Sequence, residues 1–264
     1  MVKICVAGAA GRMGNAIIRE AVSKGHQIVG AVESSTSPSI GRSLKELNIA
    51  NSDTKILSSD KLSEALKDAD VYISFTVPAA ELINIPIVAN QSKRIILGTT
   101  GFTPEQNRKV VAAMSGKIPA VFSPNYSVGV NILFKLAEAL KSFPRGYDFS
   151  LSEIHHTGKK DAPSGTAKKL EQIVSQTRGY TKMVYGREGI SPRQPAELES
   201  VAIRAGGVPG IHDVIVAGPH EMLRIEHTAF SRDVFAQGAV YAAEWLSKQN
   251  EPKVFSMADV LGLT

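Results

Sequence analysis

The chain has a single cysteine, a single tryptophan and no long apolar run in its 264 residues. The lone Cys5 excludes a disulfide framework and a cysteine-built metal centre. Its place inside Lys3-Ile4-Cys5-Val6 reads as a small buried residue in a reducing compartment rather than a nucleophile. Neither sign of charge dominates: 30 Lys and Arg face 25 Asp and Glu, a formal +5. The cations are scattered, with doublets such as Lys159-Lys160 and Lys168-Lys169 but no run, which argues against nucleic acid as a partner and suits small anionic ligands. The apolar pentad from Val2 to Val6 is interrupted by Lys3 and followed by glycines, too short for a signal-peptide core or a membrane span. The expectation is a cytoplasmic protein with no membrane segment. No internal repeat or low-complexity linker is present, and 43% apolar against 21% charged residues is the composition of a globule long enough for two domains.

The first 125 residues or so alternate short β-branched runs with helix-like segments. Strands are expected at Lys3-Ile4-Cys5-Val6, Gln27 to Val32, Val71 to Phe75, Arg94 to Leu97 and Ala120-Val121-Phe122. Helices are expected over Asn15 to Ser23, Ser63 to Lys67, Ala79 to Gln91 and from Thr103-Pro104 to Met114. Such β-α-β alternation implies a doubly wound parallel sheet of Rossmann type, covered on both faces. After Pro124 the pattern changes. A helix over Val130 to Lys141 is followed by strand-like stretches at Phe149 to Ile154, Glu199 to Ile203, His212 to Ala217 and Met222 to His227. One helix, Thr166 to Gln176, interrupts them, and a last helix spans Val234 to Ser247. The second part therefore reads as an α+β domain with an open mixed, largely antiparallel sheet. The expected boundaries are 1–126 with 233–264 for a dinucleotide-binding domain and 127–232 for a substrate-binding and oligomerisation domain.

Directly after the first strand stands Gly8-Ala9-Ala10-Gly11-Arg12-Met13-Gly14, a G-x-x-G-x-x-G variant of the dinucleotide fingerprint. Glycines let the backbone turn sharply and approach a pyrophosphate, and the following helix offers free amides and the positive end of its dipole. The context supports the motif: Glu33 closes the second strand 19 residues after Gly14, where an acid binds ribose hydroxyls. Ser34 follows, where a guanidinium would favour a 2′-phosphate. With Ser34, Ser35, Thr36 and Arg12 nearby, the expectation is that NADH is used well and NADPH is tolerated. Phe75-Thr76-Val77-Pro78, Gly98-Thr99-Thr100-Gly101-Phe102 and Ser123-Pro124-Asn125-Tyr126-Ser127 follow later strands, where loops line the ligand crevice of such a sheet.

The densest chemistry lies in Glu153-Ile154-His155-His156-Thr157-Gly158-Lys159-Lys160-Asp161-Ala162-Pro163-Ser164-Gly165-Thr166-Ala167. Imidazoles and ammonium groups precede a Pro-Ser-Gly-Thr helix start whose amides bind carboxylates. Together they suggest a dianionic substrate and a proton donor, with Lys159 preferred for function and Lys160 as a solvated cation. Adjacent histidines raise the question of zinc, but the cysteine is remote and neither H-x-x-x-H spacing nor a carboxylate cluster is present, so no metal is expected.

That block resembles the signature of the dihydrodipicolinate reductase family. Gly11-Arg12-Met13-Gly14, Gly98-Thr99-Thr100-Gly101-Phe102, Asn125-Tyr126-Ser127-Val128-Gly129-Val130-Asn131 and Arg204-Ala205-Gly206 match the same family in order, from Val2 to about Leu263. The resemblance implies that His155 and Lys159 act in proton donation and that His156, Lys159, Ser164, Gly165 and Thr166 hold two carboxylates. It further implies hydride transfer from NAD(P)H in the diaminopimelate route of lysine biosynthesis. Gly8, Gly11, Arg12, Met13, Gly14, Glu33, Ser34, Phe75, Thr76, Gly98, Thr99, Thr100, Ser123, Asn125, Tyr126 and Arg232 would serve the cofactor. The last helix would return to the nucleotide domain after about Arg232, and a homotetramer would form through the second-domain sheets. Two positions depart from the family: Ser74 stands where Asp is frequent, and Ser34 where some members have Arg. A related amino-acid or sugar dehydrogenase would share the glycine loop but would not need the His155 to Ala167 block, and a non-catalytic nucleotide-binding module would not need His155 or Lys159.

Overall fold

The computed structural model describes residues Met1–Leu263, in two compact units: Met1–Ser127 with the chain from Arg232 onward, and Val128–Ser231. Within the first unit the chain runs β1 (Lys3–Ala7), α1 (Arg12–Ser23), β2 (Gln27–Glu33), β3 (Ile56–Ser58), α2 (Leu62–Ala65), β4 (Val71–Ser74), α3 (Pro78–Asn90), β5 (Arg94–Leu97), α4 (Pro104–Met114) and β6 (Ala120–Phe122). The second unit holds α5 (Val128–Ala139), β7 (Asp148–His155), α6 (Gly165–Arg178), β8 (Lys182–Val184), β9 (Glu197–Arg204), β10 (Gly210–Ala217) and β11 (Met222–Ala229). The first unit is completed by α7 (Asp233–Leu246), β12 (Val254–Phe255) and α8 (Met257–Val260).

Seven parallel strands make the first sheet, in the order β12-β6-β5-β4-β1-β2-β3. Its central strands are apolar on both faces because helices cover both, and the alternation along β1 shows the division. Ile4 and Val6 pack with Ile17, Ile18 and Ala21 of α1 and with Ala236, Ala239 and Val240 of α7. Cys5 and Ala7 face the other way, with Ile85 and Val88 of α3 and Val110 and Met114 of α4. Burial pushes the Cys5 thiol up to about 12, so it stays protonated as an inert core residue. The expected doubly wound sheet is present, and the short strands β3 and β12 extend it beyond the expected set. Two and three residues are too few to set a period in sequence.

The second sheet has the order β11-β10-β7-β9-β8. It is open and mixed, but antiparallel pairing is confined to β11-β10 and β10-β7, while β7-β9 and β9-β8 are parallel. The antiparallel share is thus smaller than expected. The cause is α6, which carries the chain from β7 back over the sheet before β8 and β9, and such a crossover returns the next strands parallel. One face is covered by Leu133 and Ala137 of α5 and Leu170, Ile173 and Val174 of α6, packed on Phe149, Leu151, Val214 and Val216. Among the described residues no helix is long and apolar enough to cross a membrane.

Gly238 lies inside α7, where alanine is ordinarily the better helix former. Here a Cβ would stand 1.7 Å from the carbonyl oxygen of Tyr126, so the helix packs on that backbone only because the side chain is missing. Gly238→Ala is therefore expected to destabilise the protein by about 1–3 kcal/mol, the range for forced overpacking. A calorimetric melt checks this, and an unchanged or raised Tm would contradict it.

Candidate functional site

The alternation of β7 decides which polar groups are buried. Phe149, Leu151, Glu153 and His155 all point to the helix-covered face, so the apolar core gives way to a carboxylate and an imidazole at the strand's end. Register adds two partners from distant sequence. Antiparallel pairing sets His212 of β10 opposite Glu153, and parallel pairing sets Arg204 of β9 opposite His155. Ser164, the N-cap of α6, meets the same group: its hydroxyl accepts from the Ala167 amide at 3.2 Å and lies 3.1 Å from Nε2 of His212.

Glu153 is the centre of this arrangement and has no exposed surface. Its Oε1 accepts from the Ser164 amide at 3.0 Å and from Nη2 of Arg204 at 3.1 Å. Its Oε2 lies 3.2 Å from Nδ1 of His155 and 3.6 Å from Nε2 of His212, both within ion-pair range and neither making a hydrogen bond. Burial pushes this carboxyl upward. The surrounding His155, His212, Ser164 and Arg204 outweigh burial and hold it well below the usual carboxylate range, so it is ionised. For His212 the balance is opposite: burial pushes the imidazole down, the Glu153 carboxylate pulls it up, and the charge of His155 helps push it down, with a net lowering. The rings of His155 and His212 stand edge to face, 5.0 Å between centroids.

Around this core the chain presents cations and amides. The Nζ of Lys159 pairs with Asp161 at 2.8 Å, and Nη2 of Arg204 donates to the Asp161 carbonyl at 2.7 Å, tying the loop before α6 to β9. Lys159 is also turned back by its own amide donating to the His156 carbonyl at 3.1 Å. His156 is half-buried, with its amide donating to the Val208 carbonyl at 2.8 Å. Gly165 and Thr166 open α6, where the first-turn amides and the positive end of the helix dipole favour an anion. The block from His155 to Thr166 is thus brought together on one unit, as its spacing suggested. Sequence reasoning did not single out Glu153, His212 or Arg204 as site members.

Glu153, His155 and His212 place ligand-type atoms within 4.8 Å of one another, because the fold adds His212 to the carboxylate and imidazole of β7. Their second histidine is His212, from another strand, and not His156. Arg204 and the Ser164 amide already donate to this carboxylate, so one of its oxygens is taken by two donors.

The glycine loop of the first unit fits a dinucleotide by its close approaches. Gly8 has φ +64°, and its carbonyl accepts from the Gly11 amide at 2.9 Å. A Cβ on Gly14 would stand 2.0 Å from that same carbonyl oxygen, so α1 packs on the turn only with glycine there. Gly11 caps α1 with no side chain in the way, and Arg12 and Met13 begin the helix, Arg12 exposed and Met13 half-buried. Glu33 accepts from the Ala10 amide at 2.9 Å, which fixes its carboxylate beside the loop, and Ser34 is exposed next to it. Phe75 packs on Tyr126 with the rings tilted, 5.2 Å between centroids, and a Cβ on Gly98 would collide with the Phe75 ring at 2.1 Å. Thr76 is half-buried, Thr99 buried and Thr100 exposed. Ser123 is buried, with its hydroxyl on the Asn125 carbonyl at 2.8 Å. Only 1% of Tyr126 is exposed, and its hydroxyl meets the carbonyls of Val121 at 2.8 Å and Leu97 at 3.0 Å. Its side chain is core, and only its backbone is left to meet a ligand. Arg232 is exposed just before α7.

Two family models match the chain: "Dihydrodipicolinate reductase, N-terminus" over residues 2–126 and "Dihydrodipicolinate reductase, C-terminus" over residues 129–261. Among similar proteins, the 4-hydroxy-tetrahydrodipicolinate reductase of Methanosarcina barkeri is 43% identical over the full length of both chains. That of Methanosarcina acetivorans is 44% identical, again with all of each chain covered. A solved dipicolinate-bound dihydrodipicolinate reductase from Paenisporosarcina sp. TG-14 shares the fold with a TM-score of 0.76 at 21% identity, covering 98% of this chain and 99% of its own.

The lowered His212 and the lowered Glu153 set a pH dependence. In the folded protein both bind fewer protons than in the unfolded chain, so stability is lost as pH falls. The His212 contribution begins to go below its ordinary value of 6.5, at no more than about 1.4 kcal/mol per pH unit for one proton. Urea unfolding at pH 7.5 and 5.5 should show the acid-side loss, and His212→Gln should reduce it. An equally steep loss in the variant would remove His212 from this account.

Proposed function

The chain belongs to the dihydrodipicolinate reductase family, and on that premise we propose that it reduces 4-hydroxy-tetrahydrodipicolinate to tetrahydrodipicolinate with NAD(P)H, in the diaminopimelate route of lysine biosynthesis. The observation that carries this reading is the junction of β7 and α6. There an ionised, buried Glu153 secures the Ser164 amide at the start of a helix flanked by His155, Lys159 and Arg204. This is a small cationic cradle with directed amides, which suits a compact dicarboxylate.

Ser164, Gly165 and Thr166 would bind one carboxylate through the helix start, and His156 and Lys159 would hold the other. When bound, the dihydronicotinamide supplies a hydride to a conjugated C=C–C=N system of the six-membered ring. Reduction leaves an enamine that needs one proton, and Lys159, held by Asp161, and His155, held by Glu153, are the donors in reach of the cradle. The first unit would hold the dinucleotide, its pyrophosphate over the Gly8 to Gly14 turn, with Thr76, Gly98, Thr99, Thr100, Ser123, Asn125 and Arg232 completing the site. Glu33 would take the ribose hydroxyls. Because Ser34 brings no positive charge for a 2′-phosphate, NADH is used well and NADPH is tolerated. The protein works in the cytoplasm as a homotetramer assembled through the second-unit sheets.

The test is loss of 340 nm absorbance with NADH, and separately NADPH, when the freshly condensed product of aspartate semialdehyde and pyruvate is supplied by its synthase. Synthase-dependent oxidation is expected. Lys159→Ala should lower turnover by ~10²–10⁴-fold while dinucleotide affinity stays nearly intact, the scale of a lost proton donor. Near-normal turnover would take Lys159 out of the mechanism, and no oxidation with either cofactor would point to a related dehydrogenase.

A further inference from the structure

A second buried carboxylate plays no part in this chemistry. Glu81, in the first turn of α3, has no exposed surface, and among the described residues no lysine or arginine pairs with it. Its Oε1 accepts from the hydroxyl of Ser74 at the end of β4, from that of Thr76 at 2.5 Å and from that of Thr99 at 2.8 Å. Its Oε2 is buried without a hydrogen bond.

Converging hydroxyls have a directional consequence. A hydroxyl has one proton to give, so a group that spends it inward on a carboxylate shows only lone pairs elsewhere. Thr99 uses one of these on the Thr76 amide, which donates to its Oγ1 at 2.8 Å. Thr76 is the half-buried member of the set, so its oxygen is the acceptor that a ligand can meet. The same rotamer turns its methyl toward the glycine turn, where a Cβ on Gly8 would lie 3.0 Å from Thr76 Cγ2.

Strand order locates this acceptor along an extended dinucleotide. β4 and β5 lie on the side of β1 opposite to β2, which carries Glu33. With a ribose on Glu33 and the pyrophosphate at the β1 turn, the other nucleotide half runs over the ends of β4 and β5. The nicotinamide end carries a carboxamide, whose N–H groups are donors. We propose that Glu81 is a positioning residue that fixes Thr76 and Thr99 as acceptors for the nicotinamide end of the cofactor. Ser74, at the end of β4, touches the same carboxylate oxygen, so a carboxylate placed on the strand at that position would reach the same cluster.

This inference rests on the dinucleotide reading of the first unit, and two ligands separate the two claims. The full chain and its variants are titrated with NADH and with ADP-ribose, which lacks the nicotinamide. In Glu81→Gln, NADH is expected to bind roughly tenfold more weakly, the scale of one lost oriented hydrogen bond, while ADP-ribose affinity changes less than about twofold. Glu81→Ala combined with Ser74→Asp returns a carboxylate from the strand, and its NADH affinity should come within about threefold of the parent. Equal losses for both ligands would make Glu81 a general scaffold residue and overturn the proposal. So would unchanged NADH binding in Glu81→Gln, or a double variant that is folded yet no better than Glu81→Ala. If Glu81→Ala does not fold, the other variants decide. A parent protein that binds neither ligand would refute the dinucleotide reading itself.

Discussion

An ionised carboxylate withdrawn from water keeps its charge only when donors surround it, since a bare buried charge costs several kcal/mol. Glu153 meets that condition with the Ser164 amide and the Arg204 guanidinium on one oxygen and two imidazoles near the other. These partners come from β7, β9, β10 and the start of α6, so one side chain ties three strands and a helix together at the end of the second sheet. The cationic cradle follows from it. Arg204 and the loop carrying Lys159 and Asp161 are tied to the same point, and the helix amides are presented at a fixed position instead of fraying.

The first unit follows a comparable logic with different materials. The central strands of its sheet are apolar on both faces, and a set of polar groups gathers at their carboxyl ends. There Gly8, Gly14 and Gly98 allow backbone and ring approaches that any side chain would block. Glu33 on the Ala10 amide and Glu81 on its hydroxyls hold the loops at either side of β1. Buried or half-buried acids thus hold the loops at the strand ends of both units, where the cofactor and substrate sites are proposed.

Much of this was legible in the residues. The β-α-β alternation, the glycine turn followed by Glu33, and the run from His155 to Thr166 are local patterns, and local patterns survive folding. What the sequence did not disclose depends on pairing at a distance. His212 and Arg204 join Glu153 and His155 only because β10 and β9 flank β7 in a particular register, which periodicity cannot fix. The parallel pairs of the second sheet stayed hidden for the same reason. The Tyr126 side chain is core, which an aromatic in a loop does not disclose until its hydroxyl is found on the carbonyls of Leu97 and Val121. Glu81 sits in a mostly apolar helix, and nothing in its spacing distinguishes it from a solvated first-turn acid.

The most direct test of the anion-cradle account is calorimetric titration of the NADH-loaded protein with pyridine-2,6-dicarboxylate, a planar dianion of substrate size, in the parent and in Glu153→Gln. Loss of the charge that secures Ser164 and Arg204 is expected to weaken the dicarboxylate at least about tenfold while the circular dichroism spectrum is retained. Equal affinity in the two proteins would contradict the claim that Glu153 organises the site.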